Sequence, residues 1–339
     1  MENPKRFAAL LCEWYRAHKR ELPFRKTQDP YKIFLSELML QQTRMETAVP
    51  YYERFLRRFP DVETLSNASE REVLKHWEGL GYYRRATHLL KAARTIRDEH
   101  QGEFPREINE LERLKGVGRY TARAIHSIAY DGPSPAVDGN VMRVMSRYLP
   151  YEKDARKTKH MKEIEAILQP AIETERPSDF TQAMMELGAL VCKKSPRCER
   201  CPLQRECFAY EHKAYDRLPV LPKKKPKTKE SYYTFLVVKE GRYLLKPQGP
   251  NALLSGMHLF PQYKAEGFDE AFASLKDDYA LRFTHYKALG TFQHVFSHKI
   301  WNMKAYLVEA FEGTGTFYTF DEAPAIPTAH KKIVYRRKK

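Results

Sequence analysis

The chain has 339 residues, of which 42% are hydrophobic and 12% aromatic, enough apolar material for a packed core, so wholesale disorder is excluded. Lysine and arginine number 59 against 43 acids, a net charge of +16, which points to a polyanionic partner, nucleic acid ahead of an acidic membrane surface. No apolar run approaches a bilayer span and the N-terminal FAALLC is too short for a signal peptide, so a reducing, intracellular setting and no membrane partner are expected.

From Met1 to about residue 214 the patterning is helical, with apolar residues at three- and four-residue steps. Cys12 falls in the first apolar stretch, where a buried free thiol is the expectation. PYKIFLSELMLQQTRMETAVPYYERFLRRF follows, and Glu37 lies in a part of it that is apolar nearly all round. A carboxyl in such a place is paired, or its pKa rises until it stays protonated. A protonated carboxyl near neutral pH is what a general acid requires, although a structural ion pair would also explain it. SEREVLKHWEGLGYYRRATHLLKAARTIRDEH comes next, opened by the capping-box pair Ser69 and Glu72.

LERLKGVGRYTARAIHSIAY, residues 111–130, predicts a helix ending at Leu114, a tight turn, and a second helix from Arg119. Gly116 and Gly118 permit torsions other residues resist, and the amides of Gly116, Val117 and Gly118 can then face a phosphate. An ordinary helix connection is the plainer alternative. In AVDGNVMRVMSRYL, Asp138 stands just before a predicted helix. It is an N-cap by position, and amides with the helix dipole favour its ionised form. One carboxyl held neutral and another held anionic is the pattern of enzymes that break glycosidic bonds through a cationic transition state.

VCKKSPRCERCPLQRECFAY places Cys192, Cys198, Cys201 and Cys207 in the spacing C-x5-C-x2-C-x5-C. Thiolates converging on a metal centre explain this better than disulfides in a chain of this length, with zinc and an iron–sulfur cluster both open. Residues 215–230, rich in proline and lysine, predict an extended linker. Beyond it SYYTFLVVKEGRYLLK predicts two strands around a Glu-Gly turn, and KALGTFQHVFSHKIWNMKAYLVEAF is strand-like too. The expected organisation is therefore a helical domain over 1–214, a linker over 215–230 and an α+β domain over 231–339. The basic end KKIVYRRKK is expected to be solvated.

LSELMLQQTR, WEGLGYY, GVGRYTARAI, VDGNV and FTQAMMELGALVC, in this order, resemble the signatures of the helix-hairpin-helix DNA glycosylases, and within them the MutY-type adenine DNA glycosylases. The resemblance covers nearly the whole chain. It implies an all-helical glycosylase domain with a [4Fe–4S] cluster held by Cys192, Cys198, Cys201 and Cys207, followed by a Nudix-like domain. It implies excision, from double-stranded DNA, of adenine paired with 8-oxoguanine and more weakly with guanine. Glu37 would protonate the base, Asp138 would face the sugar cation, and Tyr120 and Asn140 would support them. Gln182 would read the adenine edge. Gln42 and Tyr82 would wedge into the base stack, with Arg25, Thr43 and Leu80 as further substrate-binding positions.

Related lyases carry a lysine where this chain has Tyr120, so little strand cleavage is implied. HVFSH resembles the lesion-reading loop, which brings in Phe296, Ser297 and His298. LLSGMHLFP is similar to a Nudix segment, but no hydrolase signature accompanies it. Two departures stand out: the first cysteine gap is five residues where six is usual, and Lys115 replaces the usual proline. A monomer is expected. A bifunctional pyrimidine-damage lyase and a non-catalytic DNA-binding module are the alternatives, opposed by Tyr120 and by the Glu37 and Asp138 pair respectively.

Overall fold

A computed structural model of the chain describes residues 1–222, 226–249 and 252–337. In chain order the first helices are α1 (Pro4–His18), α2 (Pro30–Leu40), α3 (Met45–Arg58), α4 (Val62–Asn67), α5 (Glu70–Trp77) and α6 (Arg84–Glu99). They are followed by α7 (Ile108–Arg113), α8 (Arg119–Tyr130), α9 (Gly139–Tyr148), α10 (Thr158–Ile172), α11 (Pro177–Leu190) and the short α12 (Phe208–Glu211). The chain divides into two compact units, Met1–Asn67 with Lys91–Lys223, and Ala68–Leu90 with Lys224–Lys339.

The first unit is helical. Asp29 caps α2 by accepting from the amides of Tyr31 and Lys32, with Pro30 in the first turn. Every residue from Ile33 to Met39 is buried, as an all-round apolar helix requires. Phe7, Leu11 and Tyr15 recur at four-residue steps on α1 and share a core with Val141, Met145, Ile164, Leu168, Phe180 and Met184. The second long helical pattern is broken in two. α5, capped by Ser69, stops at Trp77 because Gly79, Gly81 and Tyr82 adopt positive φ.

The second unit carries a mixed sheet from β1 (Thr228–Lys239), β2 (Arg242–Leu244), β3 (Lys246–Pro247), β4 (His258–Leu259), β5 (Gln262–Tyr263), β6 (Arg282–Val295), β7 (Lys299–Glu312) and β8 (Phe317–Tyr318). The order is β6-β7-β1-β2-β8, with β5 also on β1 and β3 pairing β4 separately. β1 runs parallel to β7, and its run Phe235 to Val238 is buried, as befits a strand covered on both faces. Glu240 and Gly241, both at positive φ, make the expected tight turn. Helices α13 (Phe268–Tyr279) and α14 (Thr328–Arg337) complete the unit.

Two expectations change. The segment 215–230 is anchored at both ends: the Leu218 carbonyl accepts from Arg147, the Val220 carbonyl from Ala155, and Thr228 already pairs with Lys299. Residues 223–225 of the expected linker lie outside the described residues. The basic end is not a solvated tail, because Thr328–Arg337 is helical and buries Ile333 and Val334. Its last two residues, 338 and 339, lie outside the described residues.

Candidate active site

α2, α8, α9 and α11 bring the predicted chemistry together. Glu37 is 8% exposed, and the Tyr120 hydroxyl donates to its Oε2 at 2.8 Å. Burial pushes the Glu37 carboxyl up to about 7; the Tyr120 hydrogen bond opposes this and the Asp138 charge adds to it. The Tyr120 hydroxyl also lies 3.9 Å from Met185 Sδ on α11.

Asp138 caps α9, its Oδ1 accepting from the Val141 amide at 2.7 Å and its Oδ2 from Asn140 Nδ2 at 2.8 Å. The sequence-based expectation that the two carboxyls shift in opposite directions is corrected here. Burial raises the Asp138 pKa as well, and the hydrogen bonds from Val141 and Asn140 offset part of that rise. The opposing hydrogen bonds differ: amides of the α9 N-terminus and the Asn140 side chain reach Asp138, and the Tyr120 phenol reaches Glu37.

Asn140 is itself held. Arg143 Nη2 donates to its Oδ1 at 2.8 Å and to the Gly188 carbonyl at 2.9 Å, while Arg143 Nε donates to the Cys192 carbonyl at 2.7 Å. α11 comes so close to α9 that a Cβ on Gly188 would sit 2.6 Å from the Asn140 Cβ. On α11, Gln182 Nε2 donates to Ser178 Oγ at 3.1 Å. Arg25 is committed to the fully buried Glu186 at 2.6 Å, which Arg20 also pairs at 2.7 Å. Together these hydrogen bonds bring Glu186 down to about 2 despite its burial. Arg25 is thus a buttress of α11 in this structure.

The remaining predicted residues are more dispersed. Gln42 is exposed at positive φ, and Thr43 is half-buried beside it. The hairpin joins α7 to α8 as expected, with Gly116 at φ +85°, Val117 buried and Gly118 at the α8 N-terminus without a side-chain cap. In the second unit Tyr82 is 44% exposed, whereas Leu80 is buried under its own loop. Phe296, Ser297 and His298 form the tip between β6 and β7. Phe296 packs edge-on against Trp301 at 4.9 Å, and Ser297 Oγ lies 3.2 Å from His298 Nδ1, both exposed.

All five cysteines are free thiols, and Cys12 is fully buried as expected. Cys192, Cys198, Cys201 and Cys207 line one cavity with Arg147, Val191 and Tyr215. Among the described residues no three His, Cys, Asp or Glu side chains are gathered tightly enough to hold a metal ion. Burial raises the thiols of Cys198, Cys201 and Cys207, Cys201 to about 12, and their mutual charge adds to it. Four thiolates there need a cationic group between them, so the donor set suits an iron–sulfur cluster chemically. Arg147 ties the loop down through the carbonyls of Lys193, Lys194, Tyr215 and Leu218.

Arg143, Arg147 and Glu186 were missed by sequence reasoning. The only available signal was the spacing 140, 143, 147, which puts one face of α9 toward whatever follows α11. No helix among the described residues is long and apolar enough to cross a membrane.

Residues 35–170 match the family profile described as HhH-GPD superfamily base excision DNA repair protein, and residues 233–336 match a NUDIX domain. An adenine DNA glycosylase of Buchnera aphidicola subsp. Schizaphis graminum is 32% identical over 295 residues, covering 86% of this chain and 84% of that protein. Among solved structures, a thermostable thymine-DNA glycosylase aligns with a TM-score of 0.57 at 27% identity, over 62% of this chain and 99% of the other. A trapped endonuclease III–DNA covalent intermediate aligns with a TM-score of 0.52 at 25% identity, over 63% of this chain and 99% of the other.

Proposed function

The chain belongs to the adenine DNA glycosylases, and from that premise we propose that it removes adenine paired with 8-oxoguanine, and more weakly with guanine, without an efficient strand-cleaving step. One observation carries the reading: a buried glutamic acid, held by a tyrosine, keeps its proton to about pH 7 close to an aspartate seated on a helix end.

The target nucleotide leaves the stack to reach these groups. Glu37 gives its proton to N7 of adenine. The C1′–N9 bond breaks and its electron pair leaves with the base. The cationic sugar faces the Asp138 carboxylate, which Val141 and Asn140 keep oriented. Water then adds to C1′, its proton passing to the ionised Glu37 carboxylate, and leaves an abasic site. Gln182 turns from Ser178 to the adenine edge. An amine would be needed to trap the abasic sugar as an imine, and position 120 carries a phenol instead.

Gln42 and Tyr82, both exposed at positive φ, suit a role as wedges, with Leu80 and Thr43 supporting their loops. The amides of Gly116, Val117 and Gly118 suit a DNA phosphate at an uncapped helix N-terminus. Ser297 and His298 can offer a donor or acceptor to the two positions at which 8-oxoguanine differs from guanine. Cys192, Cys198, Cys201 and Cys207 would hold a [4Fe–4S] cluster. Bound there, it supplies the charge that lets the four thiolates coexist. The basic residues Lys193, Lys194, Arg197 and Arg200 around them would then meet phosphates. The protein is taken to act as an intracellular monomer on double-stranded DNA.

Glu37→Gln keeps size and hydrogen bonding but carries no transferable proton. Single-turnover adenine release should fall by about two to four orders of magnitude while duplex affinity persists. Near-normal release by this variant would contradict the assignment.

A further inference from the structure

The residues from Ala68 to Leu90 group with the C-terminal unit, not with the helices that flank them in sequence. Glu78 is one anchor of that attachment. Its Oε1 accepts from the Ile326 amide at 2.7 Å, across 248 residues of sequence. Its Oε2 pairs with Lys331 at 2.9 Å and with Lys75 at 3.5 Å, and the side chain is only 9% exposed. Two further ties run beside it, from Arg71 to the Glu322 carbonyl at 2.8 Å and from Lys75 to the Ala323 carbonyl at 3.1 Å.

Glu78 also begins the loop that presents Tyr82, and hydrogen bonds tie that loop down. The Gly79 amide donates to the Tyr83 hydroxyl at 3.0 Å. The Gly81 carbonyl accepts from Trp77 Nε1 at 3.1 Å and from Arg85 Nη2 at 3.0 Å. The Arg85 guanidinium lies 5.4 Å from the ring centres of both Trp77 and Tyr82. A displacement of the 326–331 segment therefore reaches Tyr82 through Glu78 and a few stiff hydrogen bonds.

We propose that Glu78 is a positioning residue: it fastens the Tyr82 loop to the C-terminal segment 326–331, so that the place of Tyr82 in DNA is set together with that segment. This rests on the reading of Tyr82 as a wedge at the mispair. A carboxylate that accepts a backbone amide and an ammonium together sets both the place and the tilt of the loop, which apolar contact alone does not.

The test is a double-substitution cycle on the full-length protein, read as single-turnover adenine release from 8-oxoguanine:adenine and guanine:adenine duplexes. Glu78→Ala should slow release roughly three- to tenfold, the size expected for the net loss of one ordinary hydrogen bond. In a Tyr82→Leu background the same substitution should cost less than about twofold, since there is no longer a wedge to place. Glu78→Gln keeps the acceptor for Ile326 and should recover part of the loss. Lys331→Met, which leaves the loop intact, should act in the same direction and with the same dependence on Tyr82. An unchanged rate for Glu78→Ala, or an equal loss with and without Tyr82, overturns the proposal. If wild type treats both duplexes alike, the 8-oxoguanine preference fails while the cycle still reads the coupling on either one.

Discussion

The Tyr120 phenol donates to the buried Glu37 carboxyl, and the sign of its effect on that carboxyl can be tested. The phenol donates to the carboxylate and favours its ionised form, so it lowers a pKa that burial has raised to about 7. A general acid works only while protonated, so release should decline as pH rises through that value. Tyr120→Phe removes the donor and leaves the burial. Its basic limb should move to higher pH, measured by single-turnover rates from about pH 4 to 9, a range that brackets the ordinary and the raised carboxyl values. A limb that stays in place or moves down would show that another group titrates. Glu37 was legible because its helix is apolar nearly all round. The rise at Asp138 was not, because its N-cap position shows the amides but hides the walls that later segments supply.

At the level of elements, the approach of α9 to α11 links Asp138, through Asn140 and Arg143, to the start of the cysteine loop. Gly188 makes that approach possible. Gly188→Ala would gain about 1 kcal/mol of helix propensity but place a methyl 2.6 Å from the Asn140 Cβ, where overpacking costs about 1–3 kcal/mol. Thermal melts should show a lower midpoint, and release should slow because Asn140 orients Asp138. A raised midpoint with unchanged release would mean that the helices part without cost. The helices, their caps and the hairpin could be read from periodicity and from Ser69, Asp138 and the glycines. The loop from Glu78 to Tyr83 was hidden inside an apparently continuous helical pattern. Arg143 and Arg147 could not be assigned roles, since the carbonyls they serve lie 45 to 71 residues away along the chain.

Across the whole molecule, the change to strand patterning read at residue 231 marked the sheet to within a few residues of the β1 start at Thr228, because β1 and β7 are long. What sequence could not place was the 68–90 segment, whose partners are supplied by residues 322–331. The net charge of +16 suits a duplex partner, and affinity should weaken with salt as phosphate counterions are released. The central claim is that this site excises adenine opposite 8-oxoguanine and then stops. Its most direct test is one gel: a duplex with a single 8-oxoguanine:adenine pair, labelled on the adenine strand and incubated with wild-type protein. Half of the sample is treated with alkali, and a guanine:adenine duplex is run alongside. The expected result is cleavage at the adenine position only after alkali, faster for 8-oxoguanine:adenine than for guanine:adenine. Equal cleavage without alkali, or an adenine strand left intact in both halves, would contradict it.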